Sequence, residues 1–399
     1  MRAPRMLTAA LVLLAFVMPL ATDMYLPAFP RMTDDLHTDA SGVQLTLTSF
    51  LIGMGAGQLV LGPLSDRFGR RVPLLAGGAV CVAATALCAL VPSLGWLVVL
   101  RFVQGFGGAA GVVVGRAVIS DVAEGDAAAR MFGVLMTLTG VAPVLAPVAG
   151  GAVVAGAGWH GVFWVLTCAC LLALLAAVVA VPESLPAAKR HKGGVTATLR
   201  AAREVLGDRP YLGYTLTFGF ALAVLFCYVG GASFLLQNVL GLGLGRTSAA
   251  FASVGVVSTV ASTVITKLVG RFRPVSMLRA GVWVMLLPSA ALCAAALVGI
   301  LSLPLALGLL YLVFVGICMV TISSAPLALA RVPQAAGTGS AVLGALQSVL
   351  SAVAAPLVGL GGEDTAVPMF LCMTVFAALS TLSLRMAKAA PESAPAPAH

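Results

Sequence analysis

Twelve stretches of about 20 mainly apolar residues follow one another along the chain, separated by short polar turns. A helix rises about 1.5 Å per residue, so a run of that length matches the hydrocarbon core of a bilayer and reads as a membrane-spanning helix. The spans fall near 6–28, 43–65, 72–92, 95–119, 130–156, 160–182, 211–238, 247–270, 276–299, 303–330, 335–360 and 365–387. Composition points the same way. Of 399 residues, 60% are hydrophobic and 9% charged, where a soluble domain carries roughly 25% charged residues. The expected fold class is an all-α polytopic membrane protein.

A net charge of +9 would suggest a nucleic-acid partner in a soluble chain. The positions of the cations decide otherwise. Arg67, Arg70, Arg71, Arg130, the group from Lys189 to Arg209, the group from Lys267 to Arg279, Arg331, Arg385 and Lys388 all fall on one side of the predicted spans, and only Arg31 and Arg246 on the other. This positive-inside bias places both termini in the cytoplasm and accounts for the charge without a polyanion. Met1-Arg2 and the first run have the outline of a signal peptide, but the length of the run and the spans behind it make it an uncleaved first helix. The eight cysteines are scattered with no C-x-x-C and no Cys/His pair at metal-ligand spacing, so free buried thiols are expected.

The long polar interruption between Pro182 and Pro210 divides the spans six and six. The organisation expected is a first bundle over 1–182, a cytoplasmic linker over 183–210, a second bundle over 211–387 and a disordered tail over 388–399, rich in Pro and Ala. A degenerate repeat supports it: Asp66-Arg67-Phe68-Gly69-Arg70-Arg71 after the second span is echoed by Gly270-Arg271-Phe272-Arg273-Pro274 after the eighth. Two related halves around a midplane site are a common transporter plan.

Asp23 is the one acidic residue that falls inside a predicted span. A carboxylate at the centre of a span costs roughly 2.5–3.5 kcal/mol to insert, so such a group normally faces a protein interior or a wet cavity. Burial disfavours its charged form, which suits a carrier of protons. Pro27 has no N–H and leaves the Asp23 carbonyl unpaired, and Pro19 does the same to Ala15. The alternative is a structural carboxylate paired with a neighbouring helix. Arg101, in Arg101-Phe102-Val103-Gln104-Gly105, is the one base well inside a span. It lies roughly 8 Å below the outer end of the fourth span and Asp23 roughly 7 Å below that of the first, counting about 1.5 Å per residue. At matched depth the two could interact directly or through water; the alternative is a snorkelling arginine.

Gly62-Pro63-Leu64-Ser65-Asp66-Arg67-Phe68-Gly69-Arg70-Arg71 is a tight cytoplasmic turn that brings two helix ends together with charges at those ends. With twelve spans and the six-plus-six division, it resembles the loop signature of the major facilitator superfamily. The resemblance implies that Gly62, Asp66, Arg67, Gly69, Arg70 and Arg71 latch an inner gate, a carboxylate meeting a helix N-terminus and cations meeting carboxyl ends. Gly140-Val141-Ala142-Pro143-Val144-Leu145-Ala146-Pro147-Val148-Ala149-Gly150-Gly151 is similar to the fifth-helix signature of exporters in the drug/proton antiporter branch, with gating assigned to Gly140, Pro143, Pro147, Gly150 and Gly151. Asp23-Met24-Tyr25-Leu26-Pro27, Ala336-Gly337-Thr338-Gly339-Ser340-Ala341 and Leu346-Gln347 resemble the Bcr/CflA subfamily, which includes exporters of bicyclomycin and of amphenicols. Relatives that handle lipophilic cations can carry a second acid earlier in the first helix; Leu14-Ala15-Phe16 has none, so cationic substrates are less expected.

The function implied is proton-coupled export of a small, largely apolar compound across a bacterial inner membrane by a functional monomer rocking two halves. Asp23 would carry the proton with Arg101 as its partner, and Tyr25, Gln104, Phe226, Tyr228, Asn238 and Gln347 are candidates for the substrate cavity. The gradient supplies the energy, so no cofactor or metal is expected; the partners are the drug, protons and the bilayer. An uptake carrier for a sugar or metabolite would share the fold. A membrane enzyme is opposed by the lack of a Ser/His/Asp set, metal cluster or phosphate-cradling loop, with His37, His160, His191 and His399 in loops or the tail.

Overall fold

The computed structural model describes residues 2–123, 125–186, 203–269, 271–333 and 336–387. Most of the expected linker, at 187–202, the Gly270 of the repeat and the tail 388–399 lie outside them.

The helices are α1 (Arg2–Asp23), a short α2 (Phe29–Asp35), α3 (Ala40–Phe68), α4 (Arg71–Cys88), α5 (Leu94–Val122), α6 (Gly125–Ala180), α7 (Arg209–Phe234), α8 (Leu244–Leu268), α9 (Pro274–Val298), α10 (Leu303–Leu329), α11 (Ala336–Gly359) and α12 (Val367–Ala387). The first predicted span stops as an α-helix at Asp23, not at 28, and the chain goes on through a 3-10 turn at Leu26–Ala28 into α2. Pro27 and Pro30 cause this: each lacks the N–H that would continue the helix, yet fits the first turn of a new one. α3 begins three residues earlier than predicted because Asp39 caps it, its carboxylate accepting the Gly42 N–H at 2.8 Å.

The stretch labelled α6 is two helical arms meeting at a kink at Gly158, where φ is 65° and ψ −172°. That backbone favours glycine, and it separates the fifth and sixth predicted spans, called the two arms of α6 below. The Trp159 indole beside the turn donates to Asp35 at 2.9 Å, tying it to α2. With α6 counted twice, twelve crossings bring both chain ends to one face, called proximal below; the other face is distal. All eight cysteines are free, as expected, although Cys168 is exposed and Cys372 half-buried.

Within the first six spans α3 packs along α5, and α1 along α6; within the last six α7 packs along α11 and α12, and α9 along α10. The two most extensive contacts between the halves are α3 with α11, and α6 with α8. Moving each partner on by six spans exchanges these two contacts, so the interface has the pseudo-symmetry of the repeat. The approach is close. A Cβ on Gly151, in the first arm of α6, would strike the Ser248 hydroxyl of α8, and one on Gly55 of α3 would come within 2.9 Å of Ser348 Cβ on α11.

Candidate functional site

Between the halves lies a cavity of about 790 Å³. α1 contributes Met18, Thr22 and Asp23; α3 contributes Met54 and Gln58; α5 contributes Gly115 and Arg116. From the second half come Phe218, Phe226 and Tyr228 of α7, Phe251 and Ser258 of α8, Phe314 of α10, and Ser340 and Gln347 of α11. Tyr228 meets Phe251 and Phe314 edge to face, with centroids 5.7 and 5.0 Å away. The exposed Arg116 and Ser340 mark the proximal mouth. Asp23, the last residue of α1, is half-buried at the distal end.

Of the residues expected in the substrate cavity, Phe226, Tyr228 and Gln347 line it. Tyr25, Gln104 and Asn238 do not. Tyr25 is fully buried, its hydroxyl 3.2 Å from Thr46 Oγ1. Asn238 is exposed on a π-turn, Leu235–Val239, that ends the seventh span. Gln104 belongs with Arg101, which is completely buried in the first half on the other side of α1 from the cavity. The Arg101 guanidinium donates to Gln104 Oε1 at 2.7 Å and to the Ala21 carbonyl at 3.1 Å, and stacks over Phe50 and Tyr25 at 4.3 and 4.5 Å. The bond to Ala21 puts Arg101 at the depth of Asp23, as the sequence count implied, but no ion pair joins the two. The cation is held by a carbonyl, an amide and ring faces.

The distal end is clasped by side chains that reach across to carbonyls of the other half. Ser233 donates to Leu26 O, Gln237 to Pro27 O at 3.1 Å, Gln44 to Gly230 O at 2.9 Å, Thr48 to Ala352 O at 2.9 Å and Ser41 to Pro356 O at 3.3 Å. Pro356 explains one of these acceptors: with no N–H at that position, the Ala352 carbonyl has no intrahelical partner and takes the Thr48 hydroxyl. Thr33 of α2 also bonds across to Glu363, and these bonds between the halves all gather at the distal end. The cavity is therefore shut distally and open proximally.

The motif after α3 builds a charged cluster at the proximal face. Gly69, at φ 95°, ends α3 and turns the chain toward α4. Arg70 then donates to Asp66, Ser65 and Asp121, the last at 3.0 Å, while its own N–H donates to Glu183 at 2.8 Å. Burial works against the Arg70 charge, but Asp121 and Asp66 outweigh it and raise its pKa above the ordinary guanidinium value. Arg71 reaches the Val178 carbonyl at 2.9 Å, Arg67 lies over the Phe68 ring, and Gly62 faces Val113 of α5. The hydrogen bonds of Arg70 and Arg71 join the first half to Glu183 just past its last span. Of the fifth-helix residues, Pro147 lines the cavity, a Cβ on Gly150 would strike the Met24 carbonyl, and Gly151 abuts α8. The surroundings of Gly140 and Pro143 lie outside the described residues.

Sequence reasoning missed Asp121, Glu183 and Arg116. The first two had a signal: an acid just past a span on the arginine-rich side, in Ser120-Asp121-Val122 and Pro182-Glu183-Ser184. Arg116 had none, because only its helix face places it in the cavity.

Two pseudo-symmetric helical halves enclosing a cavity that is shut at one membrane face and open at the other define a secondary transporter. Residues 11–356 match the Major Facilitator Superfamily, and the chain belongs to that superfamily. It is 37% identical over 378 residues to the uncharacterized MFS-type transporter YdgK of Bacillus subtilis, covering 93% of this chain and 92% of that one. It is 32% identical over 373 residues to a bicyclomycin resistance protein homolog of Haemophilus influenzae, covering 93% of each. Its fold matches the crystal structure of a D-xylose-proton symporter with a TM-score of 0.73 at 16% identity, over 98% of each chain. The protein is thus a multi-pass membrane transporter that moves small molecules.

Proposed function

We propose that the protein is a proton-coupled antiporter that exports small, largely apolar, neutral or weakly charged compounds of the bicyclomycin or amphenicol kind. The observation that carries this reading is the cavity wall: aliphatic side chains from the first half and aromatic ones from the second, with one carboxyl, Asp23, at the closed end. Such a wall suits an apolar ligand, whose burial is worth about 25 cal/mol per Å². The likeness to a bicyclomycin resistance protein homolog supports it. The cations gathered at the proximal face support its being the cytoplasmic one.

In this reading residues 1–182 and 211–387 rock against each other about the central cavity. Drug enters from the cytoplasm through the open mouth, and closure of that mouth with release of the clasp exposes Asp23 to the other side. Proton and drug drive exchange only if each prefers a different state or excludes the other, because equal binding to both states shifts nothing. Asp23 is the group on which they would compete.

A second reading is an uptake carrier for a small metabolite, favoured by the fold shared with the D-xylose-proton symporter. Inside-out vesicles with an acidic lumen separate the two. Export predicts gradient-dependent accumulation of chloramphenicol or bicyclomycin in the lumen. Gradient-driven entry of a metabolite into right-side-out vesicles, with no drug accumulation in inverted ones, would establish uptake instead.

A further inference from the structure

Arg101 is a fully buried cation with no carboxylate partner among the described residues, and its hydrogen bonds lead to two thiols. Gln104, which accepts from Arg101, donates through Nε2 to Thr85 Oγ1 at 2.8 Å. Thr85 Oγ1 lies 3.8 Å from Cys170 Sγ, and Cys170 Sγ lies 3.9 Å from Cys81 Sγ. Cys81 is on α4 and Cys170 on the second arm of α6, 89 residues apart, so no sequence spacing announces them. A third sulfur is close. The point a Cβ would occupy on Gly108 is 2.5 Å from Met18 Sδ and 3.4 Å from Cys81 Sγ, so those sulfurs are no further apart than the two distances together. Having no Cβ, Gly108 leaves the sulfurs this room.

Met18, Cys81 and Cys170 line a void of about 20 Å³, about the volume needed for one small particle. Met18 and Gly111 also line the transport cavity, so one layer of side chains separates the void from it. Metal–thiolate bonds of roughly 2.3 Å spanning the 3.9 Å between Cys81 and Cys170 would meet at about 116°, close to trigonal, with the Met18 thioether on the third side. Two thiolates and a thioether are soft ligands, which select Cu(I) over harder ions.

We propose that Cys81, Cys170 and Met18 form a site for one soft monovalent ion, Cu(I) or Ag(I). Binding forms two metal–thiolate bonds and releases the two thiol protons to solvent, with no change of oxidation state. The ion with two thiolates carries a charge of −1, and Arg101, within electrostatic reach of Cys81, supplies the balancing +1. The buried arginine thereby gains the counter-charge it otherwise lacks, and the ion ties α1, α4 and α6 of the first half together.

The test is anaerobic titration of the reduced, detergent-solubilised protein with Cu(I) in competition with bicinchoninate. One equivalent should bind; Cys81→Ser and Cys170→Ser should each abolish it, Met18→Leu should weaken it about tenfold, and Cys168→Ser should leave it unchanged. X-ray absorption of the loaded wild type should show sulfur ligands alone, and loading should protect Cys81 and Cys170 from alkylation as read by mass spectrometry. Undiminished binding by the Cys81→Ser/Cys170→Ser double variant overturns the site. So does a nitrogen or oxygen shell in the wild type, a result that needs no variant to fold.

Discussion

Thr48 and Pro356 show how one residue sets the affinity of the halves for each other. The Ala352 carbonyl has lost its helical donor to Pro356 and relies on the Thr48 hydroxyl across the interface. Thr48→Val should leave that carbonyl buried and unpaired, at a cost of about 1–3 kcal/mol to the distally closed state. Pro356→Ala restores an N–H to Ala352 O, so the double variant should recover most of the loss, and the interaction term of the cycle measures the link. Spin labels at Thr38 and Thr365 would read the distal gap: wider in Thr48→Val, near wild type in the double variant. A purely additive result would mean that Thr48 acts elsewhere. Gly151 is a second such residue, where Gly151→Leu should drive α6 from Ser248 and widen the same gap.

At the scale of elements, the clasp and the proximal cluster do different things. The cluster links the α3–α4 turn, the end of α5 and the segment after α6 into one body, so Arg70→Gln should loosen the first half and slow turnover more than it weakens substrate binding. A variant that lost binding and turnover in equal proportion would contradict this. On the distal face, Glu363 of the α11–α12 loop lies near Asp34 and Asp39 of the first half. Burial raises its pKa above the ordinary carboxyl value, and the charges of Asp34, Asp364 and Asp39 raise it further, against a hydrogen bond from Thr33. A carboxyl whose pKa is raised by closure favours closure where it is protonated and opposes it as pH rises through the raised value. Acid on the distal side should therefore narrow the gap between the labels, and Glu363→Gln should keep it narrow as pH rises. An unaltered pH response in that variant would assign the effect to another group.

At the scale of the whole molecule, the twelve spans and the six-plus-six plan were legible because both rest on hydrophobic run length and on the placement of arginines, which the bilayer dictates. The site was legible only in part. Asp23 stood out as a lone acid, but Arg101 has the right depth on the wrong side of α1, since depth follows from residue count and facing does not. Gln104 falls outside the cavity for the same reason, about 100° of rotation per residue deciding between cavity and core, whereas Tyr25 lies just past the end of α1 and Asn238 on the exposed π-turn that ends the seventh span. Asp23 therefore bears the central claim alone. Purified protein in liposomes, given chloramphenicol and an imposed proton gradient, tests it most directly. Asp23→Asn should abolish gradient-driven accumulation while drug exchange at equal concentration and equal pH persists, because the cavity and its rocking halves remain. Gradient-driven accumulation by Asp23→Asn at the wild-type level would contradict it.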